Sequence, residues 1–159
     1  MVKQTKRGDT LVGWREHVGL PQLGFASLKA KVDTGARTSA LHARVARIFD
    51  DEAGKAQVEF HTFRSRGKLG AKHICPLIDQ RDVKNTSGVP ETRCVISTQL
   101  VIGSRHWAIE VTLTDREQMA FDLILGRTAL RTHRICVHPG RSFLAGPPKI
   151  IAALTPQPL

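Results

Sequence analysis

The sequence predicts an all-β, barrel-like domain with one short helix. Three observations predict it. Short runs of alternating apolar and polar residues follow one another through most of the 159 residues, with Gly-, Pro-, Asn- and Asp-bearing turn signals between them. Helical periodicity is almost absent. Two apolar runs end in small, glycine-bearing segments, Asp33-Thr34-Gly35-Ala36 and Gly126-Arg127. No internal repeat is visible.

The elements follow in order. Residues 1–10 are polar and are expected to form a flexible N-terminal tail. The domain proper is expected over 11–145, with a C-terminal tail over 146–159. Leu11 to Leu20 and Phe25 to Val32 read as two strands joined by the turn Pro21-Gln22-Leu23-Gly24. Leu41 to Phe49 alternates, with Leu41, Ala43 and Val45 on one side and His42 and Arg44 on the other. Asp50 to Lys55 is a polar hairpin turn, and Gln57 to Phe63 returns. Arg64 to Lys72 is loop-like, Lys72 to Val83 extended, and Asn85-Thr86-Ser87-Gly88 a strong turn signal. Thr92 to Ile102 is rich in β-branched residues. Gly103-Ser104 turns the chain into Trp107 to Leu113. Thr128 to Arg131 forms the helical turn after Gly126-Arg127, and Arg134 to His138 is the last strand, ended by Pro139-Gly140. Trp14 and Trp107 are expected in the core.

Composition narrows the classes of function. The formal net charge is +10, which favours an anionic partner or substrate. Tyrosine is absent, no aromatics interleave with the basic residues, and no nucleic-acid-binding motif is present, so nucleic acid is not the expected partner. An acidic peptide fits the charge equally well. No long uncharged apolar run exists, so no membrane span is expected. The basic start lacks an apolar stretch behind it, which argues against a signal peptide. Cys75, Cys94 and Cys136 are odd in number and scattered, as suits reduced thiols in a cytoplasmic protein.

The chemistry centres on Asp33. Phe25, Leu28, Ala30 and Val32 make an apolar-rich strand that stops at Asp33-Thr34-Gly35-Ala36. Gly35 permits a tight turn and close backbone approach, and the Thr34 hydroxyl can lock it. A carboxylate at the mouth of such a loop is held by backbone amides. A bare Asp-Thr-Gly is also compatible with an ordinary turn. The second run, Phe121-Asp122-Leu123-Ile124-Leu125-Gly126-Arg127, changes the balance. An early Asp-Thr-Gly loop and a late apolar-apolar-Gly segment, with strands between, resemble the half-barrel of pepsin and retropepsin.

Val12-Gly13-Trp14-Arg15-Glu16, Lys31 through Ala43, Leu113-Thr114-Asp115-Arg116 and Leu125-Gly126-Arg127 together resemble a bacterial retropepsin-like family labelled "ATP-dependent zinc protease". That family is associated with ATP-grasp ligases that add glutamate to ribosomal protein S6. The resemblance implies a retropepsin-like half-barrel and an aspartic peptidase with Asp33 catalytic. Thr34, Gly35, Ala36 and Ser39 then form the active-site loop, and Gly126 and Arg127 support it. Asn85, Thr86, Ser87 and Gly88 take the place of the flap. Aspartic proteolysis needs two carboxylates sharing one proton. One Asp-Thr-Gly per chain therefore implies a homodimer with two Asp33 side chains facing across the axis.

In retroviral enzymes an acidic residue two positions after the Gly pairs with the Arg of Gly-Arg. Arg37 stands there in this chain, so Arg127 needs another partner, with Asp115, Asp122 and Asp79 as candidates. Arg81, Arg93 and Arg116 are candidate contacts for an acidic substrate. Ser39 and His42, three apart on a strand, do not share a face and make a poor nucleophile–base pair.

Two rivals stand beside the aspartic peptidase. One is a zinc peptidase, as the family label states. His133, Cys136 and His138, and the pair His73 and Cys75, are the only hints of ligands, and no His-Glu-x-x-His or phosphate-binding Gly-rich motif exists. No metal ligand set and no cofactor is assigned. The other is a non-catalytic accessory module to an ATP-grasp glutamate ligase. The expected partners are a peptide or protein substrate, acidic in character, a second copy of the chain and such a ligase.

Overall fold

The computed structural model describes residues 4–5, 8–64, 67–84, 87–116 and 120–155. The chain runs β1 (Gln4–Thr5), β2 (Asp9–Gly13), β3 (Arg15–Leu20), β4 (Phe25–Val32), β5 (Ser39–Asp50), β6 (Ala56–Phe63) and β7 (Leu69–Pro76). It continues through β8 (Asp79–Lys84), β9 (Pro90–Ile102), β10 (Arg105–Thr114), β11 (Leu123–Leu125), α1 (Arg127–Thr132) and β12 (Ile135–His138). This is an all-β fold with one short α-helix.

Six strands close into a barrel in the order β10-β9-β3-β4-β11-β5, because β10 returns to pair with β5 in parallel from Val111↔Ser39 to Thr114↔His42. Alternation drives the closure: Val18, Leu28, Ala30, Val32, Leu41, Ile96, Leu100, Val111, Leu123 and Leu125 point inward and are buried, removing their apolar surface from water. β6 and β7 extend from β5 as a meander, and β8 adds to β9 as a hairpin. A separate sheet, β1-β2-β12, includes Gln4–Thr5, which pair with Thr10 and Asp9.

The structure corrects several local expectations. The strand expected over Leu11 to Leu20 breaks at Trp14, where the chain leaves one sheet for the other. There Trp14 N–H donates to the Arg141 carbonyl (2.9 Å) and Trp14 C=O accepts from Val32 (2.8 Å). Val45 is exposed, unlike Leu41 and Ala43, and it lies past the stretch Ser39 to His42 over which β10 and β11 pair with β5. Neither tryptophan is in the interior. Trp107 packs on the rim of the core and stacks on His133, 5.5 Å between ring centres. Trp14 meets Phe121 edge-on at 6.2 Å. The barrel interior is filled by aliphatic side chains, and the indoles lie outside it. Beyond the barrel, Lys149 N–H donates to the Gly103 carbonyl (2.8 Å), and Ile150 packs against Gly19.

The sequence motif contained Glu16 but did not announce its burial: it is fully buried on β3. Its carboxylate accepts three backbone N–H groups, from Gly13 (2.7 Å), Leu144 (2.9 Å) and Ala145 (3.0 Å). It straps the segment after β12 onto β2 and β3.

Candidate active site

β4 carries the chain to Asp33, and β11 receives it. Ladder pairing of Leu123, Ile124 and Leu125 with Ala30, Lys31 and Val32 continues in a bond from Asp33 N–H to the Leu125 carbonyl (2.9 Å). The two signature segments are thus neighbours. Asp33 is half-buried. Its Oδ1 accepts the Gly35 N–H at 2.9 Å, and its carbonyl accepts the Ala36 N–H at 3.2 Å. A side chain at residue 35 would crowd that carboxylate, since a Cβ there would lie 3.1 Å from Asp33 Oδ1.

The loop is laced to the start of α1. Arg127 Nη1 donates to the carbonyls of Thr34 (3.0 Å) and Gly35 (3.2 Å), and its backbone N–H donates to Ala36 (2.7 Å). Thr128 donates twice to the Arg37 carbonyl, through its N–H (3.1 Å) and Oγ1 (2.9 Å). Ser39 is buried, and its Oγ accepts the Gly126 N–H (3.1 Å) while its carbonyl accepts the Thr112 hydroxyl (3.2 Å).

These bonds answer two expectations. Thr34 anchors the turn through its carbonyl rather than its hydroxyl. The partners of Arg127 are loop carbonyls, not Asp115, Asp122 or Asp79. Asp115 instead meets Arg44 (2.8 Å) and His42 (3.7 Å), Asp122 meets His42 (3.7 Å), and Asp79 meets Arg81 (2.9 Å). With Arg37 exposed two positions after Gly35, carbonyl oxygens take the role a carboxylate would have had. His42 stacks on Phe63, 4.0 Å between ring centres, while the Ser39 hydroxyl is taken by the Gly126 N–H.

Ser87 and Gly88 lie in the turn joining β8 to β9, where Gly88 adopts φ 77°. Asn85 and Thr86 lie outside the described residues. The three candidate arginines are placed differently from one another. Arg81 is held by Asp79 and Glu110, each at 2.9 Å, and its hydrogen bonds to them push its guanidinium further up. Arg93 is buried against Glu91 (3.2 Å). Arg116 lies just past the end of β10, half-exposed. A cavity of about 280 Å³ opens beside the loop between α1 and β10, with Thr38, Ser39, Arg81, Glu110, Thr128 and His133 in its wall.

The residues named as hints of zinc do not converge. His133 contacts the Ala108 carbonyl (3.0 Å), His138 Nδ1 accepts the Gly140 N–H (3.1 Å), and His73 lies against Phe60. Among the described residues no group of three or more His, Cys, Asp or Glu side chains is placed to hold a metal ion. Nor is any described helix long and apolar enough to cross a membrane.

Comparison with known proteins adds the following. Residues 11–148 match a family profile described as retropepsin-like aspartic endopeptidase RimB. A "Probable alpha-L-glutamate ligase" of Parasynechococcus marenigrum is 42% identical over 137 residues, 86% of this chain but 29% of that protein. The similarly named protein of Shewanella pealeana is 36% identical over 138 residues, 86% of this chain and 30% of the relative. The chain therefore spans less than a third of the length of these relatives. A crystal structure of a protein of unknown function from Legionella pneumophila subsp. pneumophila str. Philadelphia 1 matches the fold with a TM-score of 0.68 at 24% identity, covering 85% of this chain and 97% of that one.

Proposed function

The chain belongs to the RimB-like family of retropepsin-like aspartic endopeptidases, and on that premise we propose that it hydrolyses peptide bonds in acidic, glutamate-rich chains, with Asp33 as its catalytic carboxylate. The observation that carries this reading is the seating of Asp33. The carboxylate is half-exposed, one oxygen is fixed by the Gly35 N–H, and the loop behind it is clamped by Arg127. A side chain so held is pre-positioned for acid–base chemistry.

One carboxylate is half of the apparatus. A second copy of the chain, related by a two-fold axis, supplies the other Asp33. The ionised member takes a proton from water, and the protonated member donates to the scissile carbonyl oxygen as the water adds to its carbon. Asp115 and Asp122 are turned toward His42, which favours the second copy over an acid from the same chain.

The relatives' ligase name bears on the substrate. This chain matches under a third of each. We assign glutamate addition to the remainder of those proteins and glutamate removal to the portion matched here. The net charge of +10 suits such a substrate. The same coverage favours a second reading, a non-catalytic module that delivers acidic chains to a ligase. Incubation with a glutamate-tailed peptide, read by fragment mass, separates the two. The peptidase reading predicts cleavage that a statine-type analogue blocks and a chelator leaves intact. Cleavage lost to the chelator would transfer the activity to zinc, and binding without cleavage would support the module.

A further inference from the structure

Lys29 and Lys31 alternate along β4 with the buried Ala30 and Val32, and Asp33 follows directly on the end of the strand. Both lysines are exposed on the outer face of the barrel, and that face runs to Asp33. The neighbouring strand enlarges it, since Arg15 pairs with Lys31 and His17 with Lys29. On the other side β11 sets Ile124 beside Lys31, and beyond Lys29 a hollow of about 410 Å³ opens between Phe25, Phe63, Arg64 and Asp122.

Five arginines elsewhere in the fold are already paired, whereas Arg105 on β10 bonds the Gly8 carbonyl. Arg44, Arg47, Arg81, Arg93 and Arg134 each hold a carboxylate. Lys29, Lys31 and Arg15 hold none among the described residues. Arg15 is nonetheless fixed in place: its guanidinium lies over Trp14 (4.7 Å) and Phe143 (5.1 Å), and among the described residues only its Nε is hydrogen-bonded, to the Ser142 hydroxyl (3.1 Å). A positioned guanidinium with free terminal nitrogens is suited to a carboxylate.

We infer that Arg15, Lys29 and Lys31 receive the acidic side chains that flank the scissile bond of the substrate. The assignment rests on Asp33 as the cleaving carboxylate, and it names the residues that select glutamate. Same-face side chains of an extended chain recur about every 6.7 Å. Lys29 and Lys31 therefore have the spacing of alternate glutamates in a peptide laid along β4. Lys31 lies two residues before Asp33, at the end of the strand nearer the carboxylate.

The test measures binding, so it reads independently of turnover. A fluorescent hexaglutamate is titrated against Asp33→Asn protein, with hexaglutamine and a hexameric single-stranded RNA as comparison probes. Replacing Lys29 or Lys31 by Gln should weaken hexaglutamate binding about two- to fivefold each. The double variant should weaken it more, lower the sensitivity to salt and leave hexaglutamine unchanged. Both side chains are exposed, so folding is preserved, and Arg15→Gln provides a third arm. Lys55→Gln, at the β5–β6 turn, should have no effect. Parent-like affinity in the double variant would overturn the assignment, as would an equal loss in Lys55→Gln or a loss confined to the RNA. Failure of the peptidase reading is a different result: hexaglutamate bound through these cations by wild-type protein that never cuts it.

Discussion

Gly126 lies against the backbone of Thr38 so closely that a Cβ at Gly126 would come within 2.5 Å of the Thr38 carbonyl carbon and 2.6 Å of its oxygen. The atoms met are main chain and cannot rotate away. Gly126→Ala is expected to destabilise the fold by about 2–3 kcal/mol, read as a lower denaturant midpoint. The displaced segment is the one that seats Asp33, so activity should fall with stability.

Arg127 should separate the two quantities. Its side chain is exposed and, among the described residues, bonds only the Thr34 and Gly35 carbonyls. Arg127→Gln should cost about 1 kcal/mol of stability yet lower turnover well beyond that, because the loop bearing the carboxylate loses its clamp. Paired urea titrations and rate measurements check this.

Glu16 presents two buried acceptor oxygens to three backbone donors. Glu16→Gln replaces one acceptor oxygen by an NH₂ facing an N–H. The expected loss is about 2–4 kcal/mol, with faster hydrogen exchange at Leu144 and Ala145.

His73 supplies a pH test. Burial first, and the neighbouring His61 second, hold its imidazole below the usual histidine value. The unfolded chain then binds the proton more readily than the folded one. Stability from this residue is present above the ordinary value of about 6.5 and is lost as pH falls through it toward the lower folded value. His73→Phe should reduce the drop in Tm between pH 7.5 and pH 5.5 relative to the parent.

The all-β class and the helix after Gly126 were legible in the sequence, because period-two alternation and glycine-terminated runs are local signals; the meeting of Asp33 with Leu125 was what the resemblance to retropepsins implied. The break at Trp14 was not, since it depends on Arg141, distant in the chain. Glu16 entered the sequence reading only as a member of the Val12-to-Glu16 motif, with no role; its three donors come together only after folding. The partner of Arg127 was missed for a related reason. Charge counting looks for carboxylates, whereas the loop offers carbonyls. Lys29-x-Lys31-x-Asp33 could have been read as one face of a strand, but its meaning required Arg15 to arrive from β3.

Asp33→Asn tests the central claim most directly. Asparagine keeps the oxygen that accepts the Gly35 N–H, so Tm and the far-ultraviolet spectrum should match the parent. Hydrolysis of a glutamate-tailed peptide should nevertheless fall by about a hundredfold to ten-thousandfold, and parent activity should decline on dilution as the second copy dissociates. A folded Asp33→Asn protein that cleaves the peptide at the parent rate would contradict the account.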